Sequence, residues 1–266
     1  MDEVDHDRRK RRSLTLPNNE VIYLSQLVNR LQQHLQSRLV GVYLFGSAAY
    51  GDYQPGLSDL DVQAVIAELL SMAERQTLAE LLLQTTLPCP ARQLEFVCYH
   101  QRAINPASRN PQFELNLNTG AHIADHLTFD PAEASSHWFV LDIAIGYQLG
   151  HRLFGSELTA TFVPIPRIWQ LEAILDSLAW HHTHEATSVN SILNACRGWR
   201  YAVTKSWESK RTGALWACEQ PACPAIVTQT LAPQQGVPSF DPQEITLFIK
   251  LVKLSVHTAI QHEFAL

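Results

Sequence analysis

Asp59 and Asp61, separated only by Leu60, follow a Gly46-Ser47 pair in the stretch LFGSAAYGDYQPGLSDLDVQAVI. If Leu60 to Ile66 is a strand, its side-chain period of two sets both carboxylates on one face and turns Leu60 and Val62 to the other. Like charges sharing a face repel, and a divalent cation between them relieves that repulsion. Hard oxygen ligands in an incomplete protein cage suit Mg²⁺ when a nucleotide's phosphates complete its shell. Glu95, inside the apolar run QLEFVCY, would bring a third carboxylate to the same end of a sheet. Gly46 lets backbone approach a phosphate, Ser47 offers a hydroxyl, and the N–H groups of a helix starting there favour an anion. The plainer alternative makes Ser58 and Asp59 a cap or turn and Asp61 a solvated edge residue.

Such a cluster needs strands to hold it. Val21, Leu24, Leu27, Val28, Leu31 and Leu35 recur at helical spacing and predict an amphipathic helix over Glu20 to Arg38. Gly41 to Phe45, Leu60 to Ile66 and Gln93 to Tyr99 read as strands, with a Leu/Ala/Glu-rich helix over Glu68 to Leu87 that Pro88 ends. His100 to Ser136 carries three prolines and many polar residues and reads as an irregular connection. Beyond it only helices are expected, over His137 to Leu153, Ile168 to Glu185, Ser188 to Lys210 and Gln243 to His262. The expected architecture is an α/β (α+β) domain with a small mixed sheet over residues 18–134, then an all-α helical bundle over residues 135–266. Residues 1–17 are expected to be a disordered basic tail.

Length and composition fit this division: 266 residues with 46% hydrophobic side chains can bury two modest cores. A net charge of −6 argues against a broad face for duplex nucleic acid, whose binding depends on neutralising phosphates. Five scattered cysteines without CxxC spacing indicate neither a disulfide framework nor a zinc site and fit a reducing cytoplasm. No apolar run is long enough to span a membrane.

Taken together, apolar strand, Gly-Ser, Ser-Asp-Leu-Asp, apolar strand and a later acid resemble the nucleotidyltransferase superfamily of the DNA-polymerase-β type. The second half narrows this. NSILNACRGWRYAVT (190–204), then Ser209-Lys210 and Leu215-Trp216-Ala217, resemble the helical domain of aminoglycoside adenylyltransferases of the streptomycin/spectinomycin type. VYLFGSAAYGD, SDLDVQAVI and LEFVCY match that family's first domain in order. The resemblance runs from about Glu20 to Val256 and is close in these blocks.

It implies transfer of AMP from ATP, with Mg²⁺, to a hydroxyl of an aminoglycoside-like small molecule, releasing pyrophosphate, in a protein expected to act as a cytoplasmic monomer without a membrane. It further implies that Asp59 and Asp61 hold the metal, that Glu95 deprotonates the acceptor and assists with metal, and that Gly46, Ser47 and Ser58 meet the nucleotide. Arg197 and Lys210 would meet the phosphates. Nucleotidyl transfer is mostly positioning and charge neutralisation, which two acids and two cations supply. The alternatives are a structural ion pair for Arg197 and, for Lys210, a helix end whose dipole suits a cation.

Trp180, Glu185 and Asn190 lie in WHHTHEATSVN and are expected to face a cationic acceptor. The plainer reading keeps Trp180 in the core and puts His181, His182 and His184 on a solvated helix end. Streptomycin-modifying relatives carry a tryptophan after the third strand where this chain aligns Gly120, which leaves spectinomycin or another hydroxyl compound open. A different small-molecule, protein or RNA acceptor, or a non-catalytic nucleotide sensor, would keep the fold, although a sensor has no need of all three acids.

Overall fold

The structure is a computed structural model and describes residues 14–221, 223–232 and 240–264. The basic cluster Arg8 to Arg12 of the expected tail lies outside the described residues. The chain divides into two compact units, one reaching Ile165 and one beginning at Pro166.

The first unit is built on a six-stranded sheet in the order β5-β4-β3-β2-β1-β6. Its strands are β1 (Leu39–Phe45), β2 (Leu60–Ile66), β3 (Leu94–His100), β4 (Phe113–Thr119), β5 (His126–Thr128) and β6 (His151–Gly155). Only β2 and β3 pair in parallel, and the other neighbours are antiparallel, giving the mixed sheet that was expected. β1 and β2 are apolar because helices cover them, and Val42, Leu44, Leu60, Val62 and Val65 are completely buried. Helix α1 (Asn18–Leu35) buries Leu24, Leu27, Leu31 and Leu35 on one stripe. Helix α2 (Gly46–Tyr50) is a single short turn directly after β1. Helix α3 (Met72–Leu82) begins later than its composition suggests, because Ser71 and Glu74 form a reciprocal capping box that fixes its start.

Beyond α3 the first unit differs from the sequence expectation in three features. The stretch read as irregular holds α4 (Gln101–Ile104), β4 and β5; Phe113, Leu115 and Leu117 alternate inward as a strand requires. The helix expected to reach Leu153 stops earlier, as α5 (Ser136–Leu149), and the chain returns as β6 to pair with β1. A Cβ on Gly146 would come 2.3 Å from the Phe45 ring, so the bare backbone of α5 lies against the end of β1. For that reason α5 and β6 belong with the first unit, and the division falls between 165 and 166 rather than at the expected 134/135. Helix α6 (Leu158–Thr161) closes the unit, with the Tyr43 hydroxyl bonded to Thr161 Oγ1 at 2.6 Å.

The second unit is all helical in its described residues: α7 (Arg167–His184), α8 (Val189–Thr204), α9 (Lys210–Cys218), α10 (Ala225–Leu231) and α11 (Pro242–Phe264). Ile192, Ala195, Cys196, Phe248, Val252 and Val256 form its core. The helix expected over Ser188 to Lys210 is two. Lys205 takes a left-handed conformation (φ 60°) that ends α8, and Ser209 caps α9 by accepting from the Thr212 amide at 3.1 Å. Lys210 is therefore the first residue of a helix, at the positive end of its dipole, where a lysine is electrostatically disfavoured. The helix-end alternative for this cation is thereby removed. No helix among the described residues is long and apolar enough to cross a membrane.

Candidate active site

In the first unit, Phe45 at the end of β1 pairs with Asp61, and Asp61 pairs with Glu95. Neighbouring residues of paired strands share a face, so the Asp61 and Glu95 carboxylates stand side by side at the start of the parallel pair. The chain between β1 and β2 supplies Asp59 to the same end. All three acids are partly exposed, whereas the apolar residues that alternate with them are buried. Asp59 precedes β2 instead of standing in it, so the period of two accounts for Asp61 and Glu95, and the loop end sets Asp59.

Asp59 is the most informative of the three. Arg92 Nε stands 3.0 Å from Asp59 Oδ1, but that oxygen is buried and accepts no aligned hydrogen bond. The guanidinium meets it as a nearby charge, and with its own side chain 56% exposed the pair is worth under about 1 kcal/mol. A buried carboxylate oxygen without a donor is a costly arrangement unless something else binds it. Glu95 is oriented by Gln93, whose Nε2 donates to Oε1 at 2.6 Å.

Gly46 adopts φ +61°, and a Cβ there would lie 1.8 Å from Asp61 Oδ2. The glycine is thus required twice, for a left-handed backbone and for the space that the carboxylate fills. Ser47 follows it in the first turn of α2 with its carbonyl accepting from the Gly51 and Asp52 amides. Ser58 Oγ accepts from the Gln54 amide at 3.0 Å and so closes its own loop, as in the plainer reading of that residue. The same loop is tied to α1, where the Tyr53 hydroxyl donates to buried Glu20 at 2.8 Å. Burial and the Glu20 carboxylate push the Tyr53 phenol well above its usual value, so it remains a donor.

These residues fit Mg²⁺. The donors are hard oxygens, one is buried without a hydrogen bond, and Gly46 leaves room against another. Among the described residues no three His, Cys, Asp or Glu side chains come together as a group that could hold a metal ion, so the expected share of Glu95 in a three-acid metal site is not seen and the seat is one of two carboxylates. An open two-carboxylate seat is what Mg²⁺ takes when substrate phosphates complete its shell.

In the second unit, Arg197 is half-buried and donates to Asn194 Oδ1 at 2.8 Å, while Lys210 donates to Asn190 Oδ1 at 2.8 Å. Glu185 Oε2 meets His181 Nδ1 at 3.1 Å, and the Ser188 hydroxyl and Asn190 Nδ2 each at 3.3 Å. Trp180 is half-buried and stacks on His184 with ring centroids 4.7 Å apart, while Trp199 packs into the core against Trp216 and Phe248. His181 is buried rather than solvated.

Arg92, Gln93 and Asn194 carry no expectation from the sequence, whereas His181 was expected on a solvated helix end and is buried instead. For Asn194 the signal was present, since it lies three residues before Arg197 on one helix and so faces it. Gly120, beyond β4, packs on the chain entering β3, and a Cβ there would stand 2.6 Å from the Arg92 carbonyl. No side chain fits without backbone movement, and Gly120→Ala should cost about 1–3 kcal/mol, read as a lower urea midpoint.

Comparison with known proteins agrees with both units. A nucleotidyltransferase domain model matches residues 24–85, and the C-terminal domain model of aminoglycoside adenylyltransferases matches residues 160–231. Aminoglycoside (3'') (9) adenylyltransferases from Klebsiella pneumoniae and Escherichia coli are 29% identical over 215 residues, which is 74% of this chain and 78% and 77% of theirs. The fold resembles that of spectinomycin adenyltransferase AAD(9) from Enterococcus faecialis, solved with ATP and spectinomycin. That match has a TM-score of 0.66 at 19% identity and covers 89% of this chain and 99% of that one. An acid-lined sheet edge in a stretch that matches the nucleotidyltransferase domain, followed in the same chain by a stretch that matches that C-terminal domain, makes this protein similar to the aminoglycoside adenylyltransferases in both parts.

Proposed function

We propose that this chain transfers AMP from ATP to a hydroxyl of an aminoglycoside-type antibiotic, with Mg²⁺, releasing pyrophosphate. The observation that carries the reading is the meeting of Asp61 with Glu95 in strand register, beside a Gly46 that only an unsubstituted backbone can occupy and an Asp59 oxygen buried without a donor. The relatives' names and the spectinomycin and ATP of the similar structure support the choice of substrates.

In this reading Asp59 and Asp61 hold Mg²⁺, with Glu95 beside them on the next strand. When bound, the ion would draw charge from the phosphate oxygens and the departing pyrophosphate. Glu95, oriented by Gln93, takes the proton of the acceptor hydroxyl. The acceptor oxygen then bonds to the α-phosphorus, and the bond from that phosphorus to the bridging oxygen breaks, leaving its electron pair on pyrophosphate. Gly46 and Ser47 present backbone and hydroxyl to the phosphates, and Ser58 shapes the loop that carries Asp59. Arg197 and Lys210 are the second unit's cations for the phosphates, and Lys210 occupies a helix position that costs stability unless an anion is its partner. Trp180 offers an aromatic face to a cationic acceptor, with the Glu185 charge near and Asn190 beside it.

The packing of Gly120 leaves no room for the tryptophan that streptomycin-modifying relatives carry, which favours spectinomycin over streptomycin as acceptor. The test is AMP transfer from ATP across a panel of aminoglycosides and spectinomycin. Glu95→Gln should lower kcat by about 10²–10³-fold and leave ATP binding intact. Unchanged turnover in that variant would remove Glu95 as the base.

A further inference from the structure

Two cations and one carboxylate in the second unit are joined by hydrogen bonds whose directions the chemistry dictates. Arginine only donates, so Arg197 makes Asn194 Oδ1 an acceptor and turns Nδ2 toward His181 Nε2, 3.1 Å away. That nitrogen must therefore be unprotonated. A neutral imidazole then carries its proton on Nδ1, and Nδ1 lies 3.1 Å from Glu185 Oε2. Lysine also only donates, so Lys210 makes Asn190 Oδ1 an acceptor, and Asn190 Nδ2 donates on to the same Glu185 Oε2 at 3.3 Å. Asn194 Nδ2 lies 3.3 Å from Asn190 Oδ1 and links the two branches. Gly213 permits this closeness, since a Cβ there would come 2.8 Å from Arg197 Cα, and α9 rests on α8 at that point.

We propose that Asn194, His181, Asn190 and Glu185 are positioning residues that aim Arg197 and Lys210 at nucleotide phosphate, and that the grip holds only while His181 is neutral with its proton on Nδ1. The inference rests on the phosphate role of Arg197 and Lys210 given above. Protonating His181 would put an N–H at Nε2 against the Asn194 amine. The amide must then turn over, which points its amine at Arg197 and removes the acceptor that holds the guanidinium.

The groups facing His181 are Glu185 and the Trp180 edge on α7, Arg197 on α8 and Lys210 on α9. Burial lowers its affinity for a proton below the ordinary 6.5; Glu185 opposes this, and Lys210 and Arg197 add to it. The unfolded chain thus binds the proton more tightly than the folded one. The contribution of neutral His181 to the stability of this unit is full above 6.5 and is lost as pH falls from there through its lower folded value, and the grip on nucleotide weakens with it.

The test combines a tautomer measurement with kinetics on the full chain. ¹⁵N–¹H NMR of the imidazoles should show His181 at pH 7 as the neutral Nδ1–H form, titrating below 6.5. An Nε2–H form or an imidazolium at pH 7 would overturn the proposal, and this readout needs no variant. The ATP KM of the unaltered enzyme should rise about tenfold below that midpoint, the size expected for losing one hydrogen bond to a charged group. Asn194→Ala should carry the same increase already at pH 7.5 and lose the acid dependence, with the acceptor KM within about twofold. If Asn194→Ala leaves the ATP KM and its pH profile unchanged while Arg197→Met raises KM, the relay is refuted. If Arg197→Met itself changes nothing, the phosphate reading beneath it fails instead.

Discussion

Asp61→Asn is expected to abolish AMP transfer, lowering kcat/KM by about 10⁴-fold while leaving the thermal midpoint nearly unchanged. A carboxylate that serves as a metal ligand stabilises the transition state by several kcal/mol, and each 1.36 kcal/mol is a factor of ten in rate. The amide has nearly the shape of the acid, so packing against Gly46 and pairing with Phe45 and Glu95 persist. What is lost is charge. Asp59→Asn should follow the same pattern with one difference, because Arg92 would lose its ion-pair partner. Steady-state kinetics over a range of Mg²⁺ concentrations check both, and a fall of less than tenfold for Asp61→Asn would show that the acids do not hold the metal.

The second large effect belongs to a residue without a side chain. Gly46→Ala should lose activity by about 10³-fold or more, because the new methyl group would stand 1.8 Å from Asp61 Oδ2 and one of the two must move. Gly51→Ala is the matched control. Gly51 also has a positive φ, +88°, so alanine there pays the same left-handed penalty of about 1–2 kcal/mol, but nothing lies within 4 Å of the added carbon. The two substitutions share the backbone strain and differ only in the collision with the carboxylate. Both should show lowered unfolding midpoints, and only Gly46→Ala should lose turnover. Equal losses in the two would assign the effect to strain.

The acid cluster was legible because strand alternation is local. Asp61 and Glu95 each interrupt an apolar run at a position that alternates with buried neighbours, and Asp59 stands two residues before Asp61 at the end of the preceding loop. Their register was not legible, since the pairing of Asp61 with Glu95 depends on a parallel crossover through α3 that sequence spacing does not fix. β6 was hidden for a related reason. His151 to Gly155 continues an apolar helical pattern, and only the flat approach of α5 to Phe45 ends the helix and brings the chain back to β1.

In the second unit the helices were legible and their break was not. Lys205 gives no glycine or proline signal for its left-handed turn, yet that turn and the Ser209 cap decide that Lys210 begins a helix. The histidine run illustrates the limit of composition. His182 and His184 are exposed as a solvated helix end should be, while His181, on the inner face, is buried among partners drawn from two helices.

As proposed, the acids of the first unit direct AMP onto an antibiotic hydroxyl. Mass spectrometry of a reaction containing ATP, Mg²⁺ and spectinomycin tests it most directly. A spectinomycin–AMP adduct with one pyrophosphate released per adduct is expected from the unaltered enzyme and is expected to be absent with Asp61→Asn. An adduct that forms equally with Asp61→Asn, or ATP that binds and is consumed while no aminoglycoside or spectinomycin acceptor gains AMP, would contradict it.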